Sequence, residues 1–258
     1  MTDIISSLGE TLRAGETVIT GWSSLPEPLV AETMARAGYD AVTLDMQHGF
    51  HTMESVHRGI AAIRLAGKPA IVRVPVGDFA ATSRALDFGA AAVIAPMINS
   101  YEDARKFADF MKLAPVGSRS WGPHRAMAIA GGSDPDAYLA TANRQTLALA
   151  MIESREGVAE LEAILGVAGI DGVFVGPSDL SIALSDGAAL DPTGERVMMV
   201  TGEIAERVRD SGKIAGIFCS NVGHAGTAMD LGYRLIALGS DASILRAGSE
   251  ALLEKIGR

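Results

Sequence analysis

Eight short apolar runs alternate with eight amphipathic stretches along the chain, and few folds accept that order. The runs fall at 17–21, 41–45, 70–73, 91–95, 146–152, 172–175, 215–218 and 235–238. They are apolar throughout rather than alternating, as parallel strands buried on both faces must be. The stretches at 28–37, 53–66, 79–88, 101–113, 156–165, 203–211, 225–231 and 242–256 carry apolar residues at helical spacing, and Gly38, Gly67, Gly89, Gly166, Gly212 and Gly232 punctuate their ends. Eight β–α pairs predict a (β/α)8 TIM barrel, a fold of about 250 residues. The chain has 258 residues, 48% of them hydrophobic, and neither a linker nor a low-complexity segment divides it, so 1–258 is expected to form one domain. A doubly wound open sheet is the structural alternative. The stretches 114–143 and 181–201 read as long irregular loops, which in a barrel usually cover the active face.

Ionisable residues stand at the ends of four of these runs. Asp45 and His48 follow Ala-Val-Thr-Leu, Arg73 ends Ala-Ile-Val, Glu153 ends Leu-Ala-Leu-Ala-Met-Ile, and Asp179 follows Val-Phe-Val-Gly-Pro-Ser. All strand C-termini of a parallel barrel open on one face, where its active site lies. The pattern reads as an enzyme. Glu153 and Asp179, on adjacent strands about 4.8 Å apart, could share one cation. Two carboxylates without Cys or nearby His suit Mg²⁺ or Mn²⁺. Capping of the following helices is the other role open to both. Asp45 near His48 could fix the imidazole tautomer and raise its basicity, as a general base requires, although a loop His at the surface is the commoner case. Arg73 at a barrel mouth needs an anionic partner. Contact with a carboxylate or enolate oxygen is the reading favoured here over a salt bridge to Asp45, on the ground that the strand-end acids are taken by metal. Gly176-Pro177-Ser178-Asp179 is a tight turn whose N–H groups could hold a carboxylate, or only a connection. Trp22, just past the first run, either walls the pocket or packs under a loop. Gly117-Ser118-Arg119-Ser120 and His124-Arg125 are as readily solvated as functional.

The net charge of -9 argues against a nucleic-acid partner or an acidic membrane. Cys219, the single cysteine, excludes an internal disulfide and ends an apolar run, so it reads as a buried thiol. Residues 1–17 are polar and mixed, with no signal peptide, and no apolar run reaches the roughly 18 residues that span a membrane. A cytoplasmic protein is expected.

Leu44-Asp45-Met46-Gln47-His48-Gly49, Val72-Arg73-Val74-Pro75, Pro115-Val116-Gly117-Ser118-Arg119-Ser120, Ile152-Glu153 and Val175-Gly176-Pro177-Ser178-Asp179-Leu180 occur in this order. With them the chain resembles, over nearly its whole length, the HpcH/HpaI class II pyruvate aldolases, typified by 4-hydroxy-2-oxoheptanedioate aldolase. The resemblance implies a barrel of the phosphoenolpyruvate-binding superfamily. It implies a hexamer, a trimer of dimers with the last helix exchanged between subunits. It also implies a place in aromatic catabolism. It makes Glu153 and Asp179 ligands of a divalent cation (Mg²⁺, Mn²⁺ or Co²⁺), places Arg73 on the pyruvate keto oxygen, and pairs His48 with Asp45 as the base. Ser178 and Asp179 would offer N–H groups to the pyruvate carboxylate, and Asp87 would assist near His48. From the residues alone Asp87 is only an acid at a helix end. Gln47 stands where several members carry Glu, which removes a charge from the surroundings of the metal but no ligand. The activity expected is reversible cleavage of 4-hydroxy-2-oxo acids to pyruvate and an aldehyde. No Lys falls at a strand end, which disfavours a Schiff base. The rivals are a carbon–carbon lyase acting on an acyl-CoA, which would want a basic groove not found here, and a non-catalytic barrel used for binding.

Overall fold

The computed structural model describes residues 4–257. Its strands are β1 (Val18–Ser23), β2 (Ala41–Asp45), β3 (Ala70–Arg73), β4 (Ala92–Ala95), β5 (Leu147–Ile152), β6 (Gly172–Val175), β7 (Ile214–Cys219) and β8 (Leu235–Ser240). They close in sequence order into a parallel barrel, with β1 pairing both β2 and β8. The open sheet is thereby excluded. The helices are α1 (Ile4–Arg13), α2 (Pro28–Arg36), α3 (Met53–Leu65), α4 (Phe79–Phe88), α5 (Tyr101–Met111), α6 (His124–Ala130), α7 (Pro135–Gln145), α8 (Arg155–Ala159), α9 (Leu161–Leu165), α10 (Pro177–Leu184), α11 (Glu195–Asp210), α12 (Val222–Leu231) and α13 (Asp241–Glu254). None is long and apolar enough to cross a membrane among the described residues.

Strand parity decides what reaches the site. Successive side chains of a strand point to opposite faces. Ala41, Ile71, Leu149, Met151 and Phe174 join one buried cluster that fills the barrel. Val42, Leu44, Val72, Ala150, Val173 and Val175 join the other, between strands and helices. Counting on by two from the inward set reaches Asp45, Arg73, Glu153 and Gly176, which therefore face the barrel axis at its C-terminal mouth. Asp45 and Arg73 are direct partners in the β2–β3 register.

Several elements differ from the sequence expectation. The polar-looking start contains α1, whose Ile5, Leu8 and Leu12 recur at helical spacing and pack onto strand-start residues such as Val18, Leu147 and Leu235. This helix plugs the N-terminal mouth. The stretch 114–143 holds α6 and most of α7. Gly131 ends α6 in the left-handed conformation, while Asp134 caps α7 ahead of Pro135. The stretch 181–201 contains the end of α10 and the start of α11, which begins at Glu195 rather than 203. The helix expected over 156–165 breaks into α8 and α9 at Glu160. Trp22 lies within β1 instead of beyond it, and is buried.

Candidate active site

At the C-terminal mouth a cavity of roughly 290 Å³ is lined by Trp22, Asp45, His48, Arg73, Ser178 and Asp179, together with Ser24, Met151, Phe218 and Ser240. Residues scattered from 22 to 240 in sequence thus meet in one place. Glu153 lies directly behind this lining, inward of Gly176: a Cβ at Gly176 would stand 2.5 Å from Glu153 Oε2. Only glycine lets the backbone approach that oxygen.

Asp45 and Arg73 form a buried, two-pronged pair. Arg73 Nε donates to Asp45 Oδ1 at 2.8 Å, and its NH2 donates to Oδ2 at 2.7 Å. Trp22 Nε1 donates to the same Oδ2 at 3.2 Å, and the Arg73 guanidinium lies 4.9 Å from the Trp22 ring centre. Burial pushes the Asp45 carboxyl upward, but the Arg73 hydrogen bonds and charge, with the Gln47 N–H and Trp22, outweigh it and hold the group below its ordinary value. Two expectations change here. The salt bridge that was set aside for Arg73 is present, because Asp45 is its register partner. The Asp45 carboxylate, its oxygens taken by Arg73 and Trp22, meets His48 at the backbone N–H, 3.4 Å from Oδ1. The His48 ring stands exposed on the cavity rim.

Glu153 is 2% exposed. Its Oε1 accepts the N–H of Met97 at 2.9 Å, whereas Oε2 is buried without a hydrogen-bond partner. Met97 holds that position with φ of 54°, a left-handed conformation unusual for a side chain of its size. Desolvation raises the Glu153 carboxyl from its ordinary 4.5 to about 7. The Met97 N–H opposes the rise, Asp179's charge adds to it, and Arg73 opposes it again. A buried oxygen lacking a donor, with a second carboxylate felt beside it, is a donor set that suits a hard divalent cation. Among the described residues no three His, Cys, Asp or Glu side chains gather around one point. Glu153 and Asp179 are the two carboxylates such an ion would meet, and Mg²⁺ commonly fills its other positions with oxygens of water or substrate.

The turn Gly176–Asp179 opens α10, with Pro177 at its first position. The first intrahelical bond runs from Leu180 N–H to Gly176 C=O. The N–H groups of Ser178 and Asp179 precede it and are not taken up by a capping side chain. Asp87 is not among the cavity residues. Its carboxylate meets Arg119 NH2 at 2.5 Å. Sequence reasoning did not single out Ser24, Met97, Met151, Phe218 or Ser240. Met151 and Phe218 look like other strand hydrophobics, and nothing in the sequence marks the backbone of Met97. Ser240 had a local signal, a Ser three residues before another Ser at a helix start; the two form a capping box.

A family model described as HpcH/HpaI aldolase/citrate lyase matches residues 19–247. The hydroxypyruvate/pyruvate aldolase of Rhizorhabdus wittichii is 37% identical over 239 residues, 93% of this chain and 94% of that one. The 4-hydroxy-2-oxo-heptane-1,7-dioate aldolase of Salmonella paratyphi C is 34% identical over 248 residues, 96% and 93% of the two chains. The crystal structure of an HpcH/HpaI aldolase/citrate lyase family protein from Burkholderia cenocepacia J2315 superposes with a TM-score of 0.87 at 34% identity, covering 98% of this chain and 100% of that one. With the family model matching residues 19–247 and relatives and barrel matched over more than nine-tenths of the chain, the chain belongs to the HpcH/HpaI aldolase/citrate lyase family, a family of carbon–carbon lyases.

Proposed function

We propose that this lyase is a divalent-metal-dependent aldolase that reversibly cleaves 4-hydroxy-2-oxo acids to pyruvate and an aldehyde. One observation carries the reading: the buried, partnerless Oε2 of Glu153, beside Asp179 and behind a cavity that also presents Arg73 and His48. Glu153 and Asp179 hold the cation, Mg²⁺, Mn²⁺ or Co²⁺. When bound, it supplies Lewis-acid polarisation of the 2-oxo acid. Arg73 donates to the keto oxygen, on which negative charge grows as the enolate forms. The N–H groups of Ser178 and Asp179 receive the substrate carboxylate. Trp22 walls the pocket and fixes Asp45, which orients Arg73. His48 takes the proton from the 4-hydroxyl group as the C3–C4 bond breaks, and the bonding pair becomes the enolate double bond. The aldehyde departs, and His48 returns the proton it took to C3, which yields the methyl group of pyruvate.

The enzyme is proposed to work in the cytoplasm as a hexamer, a trimer of dimers, with α13 packed on neighbouring subunits. Supporting this, α13 and the residues after it expose Leu245, Leu252, Leu253 and Ile256. Chelation is expected to abolish cleavage, and Mn²⁺, Co²⁺ or Mg²⁺ to restore it. Full turnover by verified metal-free protein would sink the proposal. A panel of aldehydes incubated with pyruvate, the products weighed by mass spectrometry, identifies the acceptor.

A further inference from the structure

Asp241 opens α13 and is the one buried residue of that helix. Its carboxylate takes four donors. Ser23 Oγ lies at 3.1 Å, the Ser24 N–H is shared between the two oxygens at 3.0 and 2.9 Å, the Leu25 N–H lies at 2.9 Å and the Ala242 N–H at 2.7 Å. Three of the four belong to the end of β1 and the link that follows it towards α2. The carboxylate therefore fastens this link to the end of β8.

The same link seats the loop that carries His48. Ser24 C=O accepts the Phe50 N–H at 2.8 Å. Gly49 packs so closely that a Cβ there would stand 3.0 Å from Ser24 Cα and 2.4 Å from Asp45 O. Ser23 Oγ lies 3.1 Å from His51 Nε2, whose Nδ1 lies 3.0 Å from Ser55 Oγ on α3. The three residues that follow His48 all lean on Ser23 and Ser24, and Ser23 and Ser24 lean on Asp241. Ser24 and Ser240, the latter adjacent to Asp241, line the cavity itself.

We infer that Asp241 is a positioning residue for His48, acting through the Ser23–Ser24 link on the loop 49–51. The inference rests on the proposed role of His48 as base. A carboxylate suits this place because each oxygen accepts several N–H groups, which a neutral side chain of the same shape does not do. The cavity wall, the base-bearing loop and the last helix are thereby joined at one buried group.

The test compares wild type, Asp241→Asn and His48→Ala, all metal-loaded. Asn keeps the shape but turns an NH2 donor towards N–H donors. Two quantities are read: amide hydrogen exchange over residues 49–51, and exchange of pyruvate methyl protons with solvent. In Asp241→Asn the Phe50 amide is expected to lose protection. Methyl exchange is expected to fall about ten- to a hundredfold, as small misplacements of a reacting group do. The KM for the oxo acid should change little. Unaltered Phe50 protection overturns the inference. Wild-type methyl exchange in Asp241→Asn beside an inactive His48→Ala also overturns it and leaves the role of His48 standing. Wild-type exchange in His48→Ala removes that role and the inference with it. Should Asp241→Asn not fold, Ser23→Ala, which deletes only the hydroxyl between Asp241 and His51, is expected to shift both readouts the same way by less. No shift in either overturns the inference.

Discussion

Arg73 and Asp45 share two short hydrogen bonds in a nearly dry setting, so a change at either is felt by both. Arg73→Ala leaves a buried carboxylate without its cation, and is expected to cost about 3–5 kcal/mol of stability as well as most aldol cleavage. Arg73→Lys keeps the charge but not the planar fork, and should recover only a minor part of the rate. Melting temperature and turnover measured on the same samples separate the two effects. A destabilised but fully active Arg73→Ala protein would make the pair purely structural. Glu153 gives a pH signature in chelated protein. Its carboxyl titrates near 4.5 when unfolded and near 7 when folded. Between these values the folded chain keeps a proton that the unfolded chain has lost, so stability falls as pH rises through that window and is level above it. The span corresponds to about 3 kcal/mol at most. Chelated Glu153→Gln should therefore melt above wild type at about pH 8 and close to it at about pH 5; parallel curves would refute the assignment. At this scale the sequence was readable wherever strand parity applies, as at Asp45, Arg73 and Glu153. It offered both partners but could not choose where two side chains compete for one, since no spacing rule tells that Arg73 rather than the His48 ring would claim the Asp45 carboxylate.

The strands were legible because each is an apolar run bounded by polar residues, and their C-terminal ends came out within two residues of the structure. Helices were less so. The buried apolar residues of α1, Ile5, Leu8 and Leu12, are few and set among Ser, Glu and Thr. Their burial comes from strand starts far off in sequence. In α7 only Tyr138 and Ala142 are buried, too sparse a pattern to stand out from a loop. The last helix shows the reverse: apolar periodicity promised burial, yet within one chain only Asp241 is covered. Its exposed side chains are therefore the place to test association. Light scattering of the wild type should report a hexamer. Leu252→Glu combined with Leu253→Glu should lower the mass while far-ultraviolet circular dichroism keeps the barrel signal. An active wild-type monomer would refute the assembly.

The molecule as a whole is a barrel whose chemistry gathers at one end and whose other end is stoppered by α1. The fold was legible because eight β–α units in a chain of this length leave little topological choice. The cavity was only partly legible, since which loop residues line it depends on how the mouth closes. Saturating Mn²⁺, about a hundred times its dissociation constant, should stabilise the wild type by about 2.7 kcal/mol, read as a rise in melting temperature. Glu153→Gln should gain much less. The barrel closes by pairing β1 with β8, and Asp241 then fastens the link after β1. The first strand and the residue that secures its exit stand far apart in sequence, with the other seven strands between them. During synthesis, then, β1 waits with one edge bare until β8 has been made, and such waiting edges invite wrong partners. A nascent chain stalled before β8 carries the residues proposed for metal, base and arginine yet has no enclosed mouth to put them in. Competence arrives only when β8 closes the ring, so fragments abandoned before it would be inert as catalysts and exposed to the proteases that clear them.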